Sequence, residues 1–481
     1  MTDGPLWTVE AMAKAMQARA EGALPRGIGG ISIDSRTLAP GDAFFAIMGD
    51  ARDGHDFVEA ALKAGAGLAV VARDKRSRFP ADARLLVVED VLEGLRALAQ
   101  AARLRMQGRV IGVTGSVGKT GTKQALQLVL SRQGRTHASA ASYNNHWGVP
   151  LSLARCPQDA DFAVFEMGMN HAGEIGPLSQ LVRPQIAIVT AIAPVHLEYF
   201  SSVAAIAEAK AEIFEGLEPG GAAILPRDSE HFELLAQRAR EANVARIVSF
   251  GEHAQADARL VRCALQAESS TVQADILGAE VTYKLGAPGR HLVMNSLAVL
   301  AAATLAGADL ALAAIGLGDL RPPSGRGCRI ALALPEGEAL LIDESYNANP
   351  VSMRAALALL GQSAVGLRGR RVAVLGDMLE LGDKSASLHG ELVQPIVDNG
   401  IDLVFCAGPA MRSLWQALPS ERRGGYAEDS KGLEPKVIEA VRGGDAIMVK
   451  GSNGSRMGPI VKALERSFAR NGTEQGAPAR A

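Results

Sequence analysis

Short apolar runs rich in β-branched residues recur along the chain. Each is closed by Gly or Asp and followed by a longer Ala/Leu-rich stretch of helical period, a pattern that restricts the fold to parallel sheets with crossover helices. The class is α/β. Four such runs lie mid-chain: RVIGVTG (109–115), DFAVFEMG (161–168), QIAIVTAI (185–192) and AAILP (222–226). Each has the length of a strand buried on both faces. A second set, ALLIDESY (339–346), RRVAVLGDM (370–378), IDLVFCAG (401–408) and DAIMVKGS (445–452), follows the cluster Arg321-Pro322-Pro323-Ser324-Gly325. That Pro/Gly cluster marks a domain boundary. Between the two sets, residues 261–284 become polar and β-rich, and are expected to form an antiparallel excursion.

A chain of 481 residues exceeds one ordinary domain. The expected division is a small N-terminal α/β unit over 1–107, a central parallel-sheet unit over 108–321 and a C-terminal unit over 322–470. Residues 471–481, polar and Gly/Ala-rich, are expected to be a disordered tail. A formal net charge of −2 provides none of the positive field that a nucleic-acid binder uses, so small-molecule partners are expected. The chain shows no signal-peptide core and no run of about 18 apolar residues, so a soluble, cytoplasmic protein is expected. Cys156, Cys263, Cys328 and Cys406 lie too far apart for a metal-ligand pattern and read as structural.

The segment GVTGSVGKTGTK (112–123) follows an apolar strand and opens a helical run. Gly115 and Gly118 let backbone N–H groups close around phosphate oxygens, and the helix offers its positive end to the same anion. Lys119 can reach the outer phosphates, and the Thr120 hydroxyl is placed to ligate Mg²⁺. The strict phosphate-loop pattern wants glycine where this chain has Val113; Gly112 is displaced by one residue. A tight turn with an incidental lysine is the plain alternative.

TGSVGKTGTK resembles the TGxxGKT loop of the Mur ligases. Further blocks fit in order: SYNNHWGVPLSL (142–153), FEMGMNHAGEIGPL (165–178), APVHLEYF (193–200), AIAEAKAEIFEGL (205–217), GRHLVMNSLAVLAA (289–302), SGRG (324–327) and IDESYNANPVSM (342–353). The resemblance implies an N-terminal domain holding a uridine nucleotide, a central P-loop ATPase and a Rossmann-like C-terminal domain. It implies ATP and Mg²⁺, and an acyl-phosphate route to an amide. NNxxGVPL with DxSYNANP is similar to the members that join D-alanyl-D-alanine to UDP-N-acetylmuramoyl-tripeptide, so those two reactants are the expected partners, with the protein a monomer.

Residue by residue, the resemblance makes Gly115, Ser116, Gly118, Lys119, Thr120 and Gly121 the phosphate loop. Glu166 becomes a Mg²⁺ ligand beside Thr120; its plain alternative is an exposed loop carboxylate. His196 is similar to the histidine at a second Mg²⁺. Lys210, otherwise a solvated lysine, matches the lysine that CO₂ carbamylates into an anionic metal ligand. Asn295 is similar to the adenine-contacting asparagine, although the family's His-Asn pair is His291-Leu292 here. Arg326 resembles the arginine that crosses the domain interface to the phosphates, where a planar fork suits bidentate contact. Asp343 is expected at ribose or a metal-bound water, and Tyr346 and Asn347 where nucleotide and dipeptide meet. In the first domain, Ser35, Arg36, Gly54 and His55 are the polar members of the uridine-nucleotide block. Asn144 and Asn145 are expected on the substrate peptide, beside His146-Trp147 where an acidic and an aliphatic residue are usual.

Two rival readings stand beside this one. A folylpolyglutamate synthase-like enzyme would share the loop, Glu166 and Lys210 but take another acceptor. A regulatory nucleotide-binding protein would keep the loop and ligate nothing.

Overall fold

The computed structural model describes residues 4–49, 52–140, 142–195, 198–266, 268–322 and 325–469. The tail expected over 471–481 lies outside them. Three large sheets succeed one another along the chain, with a small pairing of Trp7–Thr8 on Gly27–Ile28 before them. In the first, Arg19–Glu21, Leu85–Val88, Leu68–Ala72, Ala43–Phe45 and Ile31–Ser32 lie side by side in that order. Its first pair is antiparallel and the others parallel. Helix Val91–Arg105 leads out of this sheet, its start fixed by the Asp90 carboxylate accepting from Glu93 N at 2.8 Å. Its end carries Arg103 and Arg105, cations that favour a helix carboxyl terminus.

Those arginines fasten the first unit to the second. Arg103 donates to the carbonyls of Val182 and Arg183, both at 2.7 Å. Trp7 Nε1 donates to Ala154 O at 2.8 Å, with the Arg105 guanidinium stacked 3.4 Å from the Trp7 ring. One apolar core therefore runs across the boundary, from Met12, Leu95 and Leu98 to Val149 and Leu151.

The central sheet has nine strands, in the order Ala279–Leu285, Ser270–Ile276, Ala258–Leu265, Arg246–Gly251, Ala222–Pro226, Ile186–Val189, Arg109–Thr114, Phe162–Glu166 and Thr136–Ala138. The first two pairings are antiparallel, as expected for residues 261–284. Ser270–Ile276 alternates buried and less buried residues, the mark of a strand with one face toward the core. The remaining pairings are parallel. Arg109–Thr114 is flanked on both sides, which explains why Val110, Ile111 and Val113 are fully buried.

The C-terminal sheet runs Cys328–Leu334, Gly337–Glu344, Ala446–Lys450, Arg371–Gly376, Leu403–Ala407 and Arg423–Ala427. Only its first pair is antiparallel. The last strand in sequence is inserted between the first two parallel ones, so Glu344 and Lys450 become register partners at adjacent carboxyl ends. Ligands of open α/β sheets bind outside such ends, where the strand order reverses. No helix among the described residues is long and apolar enough to cross a membrane.

Candidate active site

Residues 115–118 join strand Arg109–Thr114 to helix Lys119–Leu130. Gly115 has φ 144° and Gly118 φ 92°, in the left-handed region that glycine enters without strain. A Cβ on Gly115 would fall 2.0 Å from Thr190 Oγ1, and one on Gly118 2.6 Å from Asn295 Nδ2. Thr190 Oγ1 donates to Val117 O at 2.6 Å, and Ser116 is tied to the same strand end through Ser116 N to Ala191 O (2.7 Å) and Ala193 N to Ser116 Oγ (3.0 Å). The loop is thus clamped from two sides. Gly115→Ala is expected to weaken nucleotide affinity by roughly tenfold or more, since a Cβ there strains the loop and forces Thr190 aside. Nucleotide titration of the folded variant checks this; an affinity equal to the parent's would remove the cradle role.

Helix Lys119–Leu130 then aims its first residues at the end of strand Phe162–Glu166. Thr120 Oγ1 donates to Glu166 Oε2 at 2.9 Å, and Asn144 Nδ2 to Glu166 Oε1 at 2.8 Å. Lys123 Nζ donates to Ser139 O at 2.7 Å and stands 3.7 Å from Glu166 Oε2. Glu166 is 1% exposed, so these partners make a buried charge tolerable. It is not the exposed loop carboxylate of its plain reading. Among the described residues no group of three or more His, Cys, Asp or Glu could hold a metal. Mg²⁺ seldom needs one: it takes one or two protein oxygens and fills its octahedron with phosphate and water. Thr120 and Glu166 fit that donor set. His196 lies outside the described residues.

Lys119 Nζ donates to Gly115 O at 2.7 Å. Its ammonium is walled in, and this desolvation lowers its pKa; Glu166 opposes the shift and Arg326 adds to it. Lys210, on helix Val203–Ala211, is 1% exposed. Burial first, then the charge of Lys119, drive its pKa well below the ordinary lysine value, against a weaker pull from Glu212. Neighbouring carboxylates are engaged elsewhere. Glu208 grips Arg238 at 2.5 and 2.9 Å, and Glu212 accepts from Gly173 N (2.6 Å) and Ile175 N (3.0 Å). The solvated-lysine reading therefore gives way to a buried amine.

Between this loop and the C-terminal sheet lies a cavity of about 1160 Å³, larger than the roughly 300–1,000 Å³ of a single small-molecule site. Ser116, Gly118, Lys119, Thr120, Gly121 and Glu166 line one side, with Asn144, Asn145 and Asn295 beside them. Arg326, Tyr346 and Asn347 line the other, with the Arg326 guanidinium 4.1 Å from the centre of the Tyr346 ring. Asn145 also has a local task, its Oδ1 accepting from Gly148 N at 2.9 Å.

Asp343 lies at the carboxyl end of strand Gly337–Glu344. Its carboxylate accepts from Gly325 N (2.8 Å) and from Ser345 N and Oγ (3.1 and 2.6 Å), holding the interdomain turn, and it does not line the cavity. Glu344 and Lys450 do. The sequence reading missed both, although each ends an apolar run where parallel sheets place site residues.

None of Ser35, Arg36, Gly54 and His55 lines this cavity. Arg36 is exposed and forks onto Asp34 at 2.9 and 2.7 Å. His55, expected as a substrate contact, is built into the domain instead: 3% exposed, its Nε2 accepts from Ala72 N at 3.0 Å while Nδ1 faces Asp53 Oδ1 at 2.6 Å. Gly54 has a packing reason, since a Cβ there would meet Ile47 O at 2.5 Å.

Three family models match in succession: the Mur ligase family catalytic domain over residues 27–103, the Mur ligase middle domain over 113–303 and the Mur ligase glutamate ligase domain over 329–453. The UDP-N-acetylmuramoyl-tripeptide–D-alanyl-D-alanine ligase of Bacillus subtilis (strain 168) is 36% identical over 92% of this chain and 94% of its own length. Crystal structure I of MurF from Acinetobacter baumannii is 30% identical, with a TM-score of 0.81 over 96% of this chain and 99% of that one. MurF ligase from Thermotoga maritima in complex with ADP is 25% identical, with a TM-score of 0.73 over 91% and 97%. With all three domain models matched in order and identity above 30% along nearly its whole length, the chain belongs to the Mur ligase family.

Proposed function

We propose that this protein is an ATP-dependent, Mg²⁺-requiring ligase that joins D-alanyl-D-alanine to UDP-N-acetylmuramoyl-tripeptide in peptidoglycan precursor synthesis. It acts in the cytoplasm, as a monomer. The observation that carries the reading is the pairing, across one cavity, of the clamped loop with Thr120 and Glu166 on one wall and Arg326 with Tyr346 on the other. The B. subtilis relative, named for this reaction and matched along 94% of its length, supports the choice of reactants.

A carboxylate is a poor electrophile, so the peptide's terminal acid first takes the outer phosphoryl group of ATP. The dipeptide amine then attacks the acyl carbon; the C–N bond forms, the C–O bond to phosphate breaks, and phosphate leaves with the proton that the nitrogen gives up. Negative charge gathers at one point in both steps, and fixed cations there provide most of the acceleration. Lys119 and Arg326 reach that point from opposite walls. Thr120 and Glu166 would hold a Mg²⁺ ion, which would supply charge neutralisation at the phosphates. Asn295, beside Gly118, is assigned to the base, and Asn144, which holds Glu166, to the peptide. Carbamylated Lys210 would add an anionic oxygen ligand for a second ion. In the N-terminal domain, exposed Arg36 and half-buried Ser35 are assigned to the uridine nucleotide.

Phosphate release measured across a panel of UDP-muramoyl peptides and amines tests the reading. Release is expected only with the muramoyl tripeptide and D-alanyl-D-alanine together. Release with a folate and glutamate instead, or ATP binding without release on any pair, would overturn it.

A further inference from the structure

Helix Val91–Arg105 carries Glu93, Arg96, Gln100 and Arg103 at spacings of three and four, so all four share one face. None of them lines the active-site cavity. They border a second cavity, of about 360 Å³, whose opposite wall includes Leu181 and Arg183 at the end of helix Ile175–Val182. That volume lies within the range of a small-molecule site, and its walls come from the first unit and the central one. Arg183 precedes the amino end of strand Ile186–Val189, whereas the phosphate loop leaves the carboxyl end of its parallel neighbour Arg109–Thr114. At about 3.3 Å per residue, the sheet holds the two cavities on the order of 15 Å apart.

Arg103 is 8% exposed, and its Nε and Nη2 are occupied by the carbonyls of Val182 and Arg183. Its Nη1 has no partner among the described residues, although a buried guanidinium N–H without an acceptor is costly. Arg96 is paired with Glu93, and Arg183 Nε stands 2.7 Å from Glu218, which is also 3.5 Å from Arg103 Nη2. Each pairing uses only part of a fork with five donors. Three guanidinium groups against two carboxylates leave one positive charge in excess. Donors therefore stand on both walls. A tetrahedral oxyanion accepts from several directions at once, whereas a planar carboxylate suits a single fork.

We propose that this cavity binds a phosphate group, either the free ion or one carried by a small phosphomonoester, with Arg103 Nη1 as its inner donor and Arg96 and Arg183 meeting it from the two units. A phosphate bound there holds the helix that leaves the first sheet against the end of helix Ile175–Val182. The site shares no residue with the ligation machinery, so it stands or falls apart from the proposed function.

Equilibrium dialysis of labelled phosphate against the full chain tests this, at constant ionic strength and with the phosphate loop filled by a non-hydrolysable ATP analogue and Mg²⁺. One saturable site per chain is expected, with acetate a poor competitor. Glycerol phosphate competing better than phosphate identifies a monoester as the ligand; competing no better, it leaves the free ion. Arg96→Glu reverses a charge without touching the carbonyl contacts of Arg103. It should weaken phosphate binding by about tenfold or more and leave affinity for the ATP analogue unchanged. Arg103→Met should abolish the site, and Arg96→Glu carries the test if that variant does not fold. Phosphate should also raise the melting temperature of the parent and not that of Arg96→Glu. No saturable binding by the parent, or binding that Arg96→Glu leaves unchanged, overturns the site and reduces Arg103 to a staple between the two units.

Discussion

Lys119→Ala is expected to reduce phosphate release by about 10³-fold or more, the scale on which a cation aimed at a transferring phosphoryl group contributes. The ammonium stands at the first residue of the loop helix, 2.7 Å from the Gly115 carbonyl. A neighbour cannot replace it. Lys123 is committed to Ser139 O and stands against Glu166, and Arg326 is stacked on Tyr346 across the cavity. Lys119→Arg should recover little, because a planar fork on a longer stem does not occupy the place of a compact charge. Nucleotide titration and phosphate release on the same folded sample separate the effects: affinity is expected to fall modestly and turnover to collapse. A Lys119→Ala protein turning over at the parent rate would remove the lysine from the reaction.

The parallel strands and the phosphate loop were legible because their signals are local. A glycine-bounded apolar run reads as a buried strand wherever it sits, and Gly115 and Gly118 carry the positive φ their type allows. Strands without that apolar density escaped: Thr136–Ala138 and Arg423–Ala427 are edge strands, fixed by one neighbour only. Asp343 and Glu344 illustrate a different limit. Adjacent strand residues point to opposite faces, and only the sheet's place in the molecule decides which face meets the cavity. Asp343 turned to the Gly325 amide, and Glu344 to Lys450. Lys450 depends on a strand inserted from about a hundred residues away, a pairing without local trace. His55 shows the reverse case, a residue type suited to binding that the fold spends on Ala72 N and Asp53.

Lys210→Ala is expected to cut turnover by roughly 10²-fold, the usual loss when a group supporting a metal is removed, with partial return on adding formate or acetate. Carbamylation needs a neutral amine: nitrogen attacks CO₂, a C–N bond forms and one proton is released. Burial of Lys210 and the nearby charge of Lys119 both favour that neutral form, and no carboxylate pairs with it among the described residues. The same depression makes a separate stability statement. The unfolded chain binds the lysine proton up to its ordinary value of 10.5, whereas the folded chain gives it up well below that. Between those two values the unfolded state holds more protons, so stability rises with pH and the buried amine costs stability toward neutral pH. In CO₂-free buffer without metal, Lys210→Met is therefore expected to melt higher than the parent at pH 7, and the gap should narrow as pH approaches 10. Adding CO₂ and Mg²⁺ should stabilise the parent and not the variant. Carboxylates that restore no activity to Lys210→Ala, with a parent indifferent to CO₂, would show that Lys210 acts as a free amine.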